Sequence, residues 1–174
     1  MNQHYLDYTD GRRWMPTLQA NGINLFYDLE GTGEPLLLIS GFGCDHSYWS
    51  LIMPSLVSHY QVIGLDNRGS GQSSTPPGPY SIKQMATDVA LLLEHLGLAQ
   101  VQVVGHSMGG QIAQELALSF PSKVRSLALL ASWARGDARF NTVIETFGEL
   151  PRSVKLNLYQ KVVLPWMYAE DFFS

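Results

Sequence analysis

The sequence predicts an α/β fold, a mostly parallel sheet with flanking helices that is entered through an N-terminal β-hairpin. Three observations predict it. Four short apolar runs, Leu36–Ile39, Val62–Leu65, Val101–Val104 and Leu127–Leu130, read as strands buried on both faces. Segments with helical spacing lie between them, and strand–helix alternation calls for right-handed crossovers between parallel strands. Asn21-Gly22 between two alternating stretches marks a hairpin, because both turn positions need positive φ.

Residues 1–16 are a polar extension carrying Asp7, Asp10, Arg12 and Arg13, with no apolar stretch of the signal-peptide kind. The hairpin follows as Thr17–Ala20 and Ile23–Leu29, with Ile23, Leu25 and Tyr27 on one face. Tyr48–Ser58 reads as a helix carrying Trp49, Ile52, Met53 and Leu56. Ser81–Leu96 is a clearer one. Ser81 and Gln84 make a capping box, Ile82, Met85, Ala86, Val89, Leu92, Leu93 and Leu96 fall on one stripe, and Gly97 is placed to end it. A third helix, Met108–Phe120, carries Ile112, Ala113, Leu116, Ala117 and Phe120 on one face and stops at Pro121. The core so drawn spans 17–132. Residues 133–174 lose the alternation and look helical, with Phe140, Val143, Ile144 and Phe147 at helical spacing. This aromatic-rich stretch reads either as part of a lid over a pocket or as the packing face of helices.

Composition sets outer bounds. The chain has 174 residues, 45% hydrophobic and 15% charged, which is ordinary for a globular protein and excludes extensive disorder. Eleven basic and fifteen acidic residues leave a net charge of -4, without the basic patch that nucleic acid or an anionic membrane requires. No run reaches the ~18 apolar residues of a membrane span. Cys44 stands alone, so an internal disulfide is ruled out and a reducing, cytoplasmic setting fits. The cysteine and the histidines lack zinc-ligand spacing.

The chemistry concentrates in Gly105-His106-Ser107-Met108-Gly109. A buried strand ends at Gly105 and an amphipathic helix starts just past Ser107. A nucleophile elbow needs that strand–turn–helix context, with Gly105 and Gly109 leaving room where a Cβ would clash. Ser107 is the candidate nucleophile, and His106 is read as structural. An acyl-transfer serine also needs donors for the oxyanion. The Met108 backbone N–H is one candidate. The glycine-rich Ser40-Gly41-Phe42-Gly43 after an earlier strand supplies the second through the Phe42 N–H, with Gly41 as support. Asp66-Asn67-Arg68-Gly69-Ser70-Gly71 reads as a structural loop, held by a pair between Asp66 and Arg68.

These elements, in this order, resemble the α/β-hydrolase superfamily over Thr17 to Ala131. Pro76-Pro77-Gly78-Pro79-Tyr80-Ser81 and Leu130-Ala131-Ser132-Trp133-Ala134-Arg135 are similar to the 3-oxoadipate enol-lactonase-like and carboxylesterase branch. The resemblance implies a small-molecule ester or lactone substrate, a helical lid after the sixth strand, and no cofactor. One departure is Ser40, where relatives carry a histidine before the oxyanion glycine; it predicts a less firmly anchored loop. The resemblance also implies a triad in the order Ser, acid, His. His4, His46, His59, His95 and His106 all precede Ser107, and Asp137, among Arg135, Gly136 and Arg139, reads as a solvated loop residue. The expectation is therefore a chain that stops within the lid, with the triad acid and histidine downstream and little activity by itself. Leu127–Leu130 becomes an open sheet edge that invites self-association. A non-catalytic binding module, a two-chain enzyme and a perhydrolase share these features.

Overall fold

The computed structural model describes residues 16–167, which fall into two compact units parting between Ala134 and Arg135. The first unit holds six strands: β1 Thr17–Ala20, β2 Ile23–Glu30, β3 Glu34–Ile39, β4 Tyr60–Leu65, β5 Val101–His106 and β6 Val124–Leu130. Their spatial order is β1-β2-β4-β3-β5-β6. β2 runs antiparallel to β1 and β4, while β4, β3, β5 and β6 are mutually parallel. The predicted mostly parallel α/β sheet is thus present, hairpin included. Asn21 and Gly22 turn it at φ 50° and 76°, and Ala20 faces Ile23 across the turn.

Strand alternation divides the core in two. Leu37, Ile39, Ile63, Leu65 and Val103 pack with α2 (Ile82–His95) and α3 (Met108–Ser119). Leu36, Leu38 and Val62 point the other way, onto Trp49 and onto Met53 of α1 (Met53–Leu56). The β3 and β4 runs are therefore covered on both faces, and no polar residue interrupts them. In β5 buried Val101 and Val103 alternate with half-buried Gln102 and Val104, and the Leu127–Leu130 run, expected to be buried, is exposed. In α2 the stripe Met85, Ala86, Val89, Leu92 and Leu93 is buried. The Gln84 N–H donates to Ser81 Oγ at 3.1 Å, a cap worth about 1 kcal/mol.

The helix expected over Tyr48–Ser58 is instead a 3-10 turn, His46–Trp49, followed by the one-turn α1. Pro54 gives the reason. It has no N–H to donate into a preceding turn, so it is tolerated at the start of a helix and not within one. At the outer side of the sheet, β6 is exposed from Arg125 to Leu130.

The second unit contains α4 (Ala138–Ser153) and α5 (Leu156–Met167). Asp137 is exposed, as expected of a solvated residue, and it also caps α4, its Oδ1 accepting the Phe140 N–H at 2.7 Å. No helix among the described residues is long and apolar enough to cross a membrane.

Candidate active site

Ser107 stands at the junction of β5 and α3 with φ 53° and ψ -120°. A non-glycine residue there is strained by roughly 1–3 kcal/mol, a cost met by surrounding structure. The closeness of strand and helix imposes it. A Cβ on Gly105 would lie 2.5 Å from the Gly109 carbonyl oxygen and 2.6 Å from the Gly110 Cα, and one on Gly109 would collide with the Ile39 carbonyl. The serine is thereby set at the C-terminal edge of the parallel strands, next to a helix N-terminus. Among the described residues its hydroxyl has no hydrogen-bond partner, while its amide and carbonyl are both bonded.

The loop after β3 lies against it. A Cβ on Gly41 would stand 3.1 Å from Ser107 Cβ and 3.1 Å from His106 Nδ1, tighter than an ordinary contact, so the absence of a side chain here lets this backbone lie close to the elbow without strain. The Phe42 ring is exposed. The Ser40 departure did not leave the loop loose. Ser40 is fully buried, its hydroxyl donates to the Cys44 carbonyl at 3.3 Å, and Asn67 Nδ2 donates to its carbonyl at 3.1 Å. The structure thus brings Gly41, Gly105, His106, Ser107 and Gly109 together, with Phe42 following Gly41 and Met108 opening α3.

The Asp66–Arg68 pair expected in the next loop does not form. Arg68 instead makes a buried bidentate pair with Asp88 of α2, Nε to Oδ2 and Nη2 to Oδ1, both 2.6 Å. Asn21 Nδ2 adds 2.6 Å to Asp88 Oδ1. Asp66, also buried, takes a different set: the His46 N–H at 2.7 Å, His46 Nδ1 at 2.8 Å and the Gln72 N–H at 2.7 Å. The buried Asp88 carboxylate takes both Arg68 donors, and the two Asp66 oxygens are filled by the His46 and Gln72 amides, so the two charges part company. One signal in the sequence was Asp88 itself, an acidic residue amid the buried stripe of α2, which burial permits only with a partner.

Asp45, His46 and Asp66 place potential metal-ligand atoms within 4.8 Å of one another. Both Asp66 oxygens are already acceptors, and Asp45 Oδ1 accepts the Ser47 N–H and hydroxyl at 2.9 and 2.5 Å. The Ser47 hydroxyl, with its amide, holds the Asp45 carboxyl below its ordinary value. These groups clamp the loop that follows the Gly41 turn.

His106 stacks on Tyr48 with ring centroids 4.7 Å apart, and its Nδ1 is buried with no hydrogen-bond partner among the described residues. Burial pushes its pKa down. Burial, and then the charge of Asp45, push the Cys44 thiol up, the opposite of what a reactive thiol needs. His59 and His95 are exposed, and His4 lies outside the described residues.

A family model described as alpha/beta hydrolase fold matches residues 34–163. The candidate carbamate hydrolase RutD of Azorhizobium caulinodans is 40% identical over 123 residues, covering 71% of this chain and 46% of that protein. The 3-oxoadipate enol-lactonase 2 of Acinetobacter baylyi is 39% identical over 126 residues, covering 71% and 47%. The structure of a thermophilic esterase from Thermogutta terrifontis superimposes with a TM-score of 0.79 at 30% identity, covering 93% of this chain and 61% of the esterase. The chain spans about half the length of these curated relatives. With its sheet order, its elbow and the family match over three quarters of its length, this chain belongs to the α/β-hydrolase family.

Proposed function

We propose that the polypeptide carrying this sequence is a serine hydrolase of small carboxylic esters or lactones. The observation that carries the reading is the strained Ser107 at the β5–α3 junction, with the Gly41 backbone packed against it. Ser107 Oγ attacks the acyl carbon and gives its proton to a histidine supplied from beyond Ser174, oriented by an acid from the same region. The N–H groups of Phe42 and Met108 receive the oxyanion. The alcohol departs with that proton, and water then releases the acid from the acyl-serine. The names of the enol-lactonase and the esterase support this substrate class. The 40% identity to RutD favours a second reading, a carbamate, which differs only in the group bonded to the same carbonyl.

The test uses the complete polypeptide with p-nitrophenyl butyrate, a γ-lactone and a p-nitrophenyl carbamate. Ser107→Ala is expected to lower turnover of the preferred substrate by at least about 10³-fold. Equal rates for parent and variant sink the reading, and a preference for the carbamate selects the second.

A further inference from the structure

The elbow is held from a direction that the catalytic reading leaves unused. Two of the bonds on Ser107's backbone come from the end of β6 and the turn that follows it. The Ser107 N–H donates to the Leu130 carbonyl at 2.9 Å, and Ser132 Oγ donates to the Ser107 carbonyl at 2.9 Å. Between these two residues sits Ala131, at φ 46°. Left-handed backbone is uncommon for alanine and persists only where surrounding structure over-determines it. Here it curls the chain back so that a carbonyl and a hydroxyl two residues apart reach the same serine. Gly110 clears the way, since a Cβ there would collide with the Ser132 side chain. Gln114 of α3 continues the attachment, its Nε2 donating to the Trp133 carbonyl at 3.2 Å.

We propose that Ser132 is a positioning residue that aims the Met108 N–H at the oxyanion. The peptide joining Ser107 to Met108 is planar and trans, so its C=O and N–H point in opposite directions. Fixing the carbonyl end fixes the N–H end. The Ser132 hydroxyl binds that carbonyl, so it sets the plane in which Met108 presents its donor, and a hydrogen bond accepted at the oxygen polarises the N–H as well. Ser132 touches no reacting atom; it acts through one peptide unit. The Gly110 N–H also reaches the Ser107 carbonyl, at 3.0 Å, but that bond belongs to the first turn of the helix and moves with it. Among the described residues, the bonds that tie the Ser107 peptide groups to another element come from Leu130, at the end of β6, and Ser132, just past it.

The inference rests on the reading of Ser107 as nucleophile and of Met108 as oxyanion donor, and its test separates the two. In the complete polypeptide, Ser132→Ala is expected to lower kcat about 10- to 100-fold with KM within about twofold, because the lost interaction is realised in the transition state. Affinity for a trifluoromethyl ketone, whose adduct carries the oxyanion, is expected to fall in the same proportion. Amide hydrogen exchange at Met108 is expected to quicken in Ser132→Ala. Ser132→Cys keeps the volume with a much weaker donor, and reads the same bond where Ala unfolds the chain. A kcat within twofold of the parent and unchanged Met108 exchange in whichever variant folds overturn the proposal, provided Ser107→Ala abolishes turnover. If Ser107→Ala leaves turnover intact, the nucleophile reading fails, and Met108 exchange alone then decides whether the strap exists.

Discussion

His106 shows how one residue can be plain in the sequence and still be misjudged in its surroundings. Its place beside Ser107, at the end of β5, was legible. Its neighbours were not, because the Tyr48 ring arrives from a segment nearly sixty residues earlier, beyond the reach of any local pattern. Burial holds the folded pKa below the ordinary 6.5. The unfolded chain therefore takes up a proton at higher pH than the folded one, and between the lowered value and 6.5 stability rises with pH. Acidification from pH 7.5 toward 5 is expected to destabilise the protein partly through this residue. His106→Phe keeps a ring on Tyr48 and removes the titration, so its thermal midpoint is expected to fall less over that range. Parallel pH dependences for parent and variant contradict this. Ser107 itself was legible for a different reason. A strained turn needs glycines at fixed offsets, and offsets survive in sequence, whereas Ser132 is joined to it by a contact across strands with no spacing rule.

Among elements, the strands and the long helices were readable because their periods are local: continuous apolar runs for strands covered on both sides, and a stripe for α2. Apolar spacing across Tyr48–Ser58 suggested one helix because spacing does not register the missing N–H of Pro54. What fastens elements together was not readable. The loop after β4 is tied to α2 and to the hairpin turn by the Arg68–Asp88–Asn21 cluster, with Arg68 and Asp88 side chains only 2% and 3% exposed. Charges that far from water rely on each other, and removing one strands its partner. Asp88→Asn is expected to lower unfolding stability by about 3–5 kcal/mol in urea titrations. The double change Arg68→Met with Asp88→Leu is expected to recover most of that loss, because neither variant residue leaves a charge behind. A single variant as stable as the parent, or a double variant worse than the single, contradicts the account.

At the scale of the molecule, burial is unevenly shared. All but one of the buried hydrophobic residues described precede Ala134, the exception being Val163. The first unit closes its sheet with pairings between strands distant in sequence, such as Leu36 with Gln102, and two apolar clusters cover its faces. The second unit presents exposed Leu156 and Leu158 on α5. Composition gave no hint of this imbalance, since it depends on which apolar groups find partners. Proteolysis follows local opening, which is least costly where few groups are buried. Arg135 lies in the connection into α4 and Lys155 between α4 and α5, both exposed and outside regular structure. Arg68 is locked to Asp88, and Arg125 lies in β6 and pairs with Glu34 at 2.6 Å. Within residues 16–167, limited trypsin digestion is therefore expected to cut first after Arg135 and Lys155, leaving a long-lived fragment ending at Arg135. Peptide masses at early times measure it. Early cleavage after Arg68 or Arg125 means that the sheet unit opens as readily as the helical one, and that its burial does not confer the resistance expected of it.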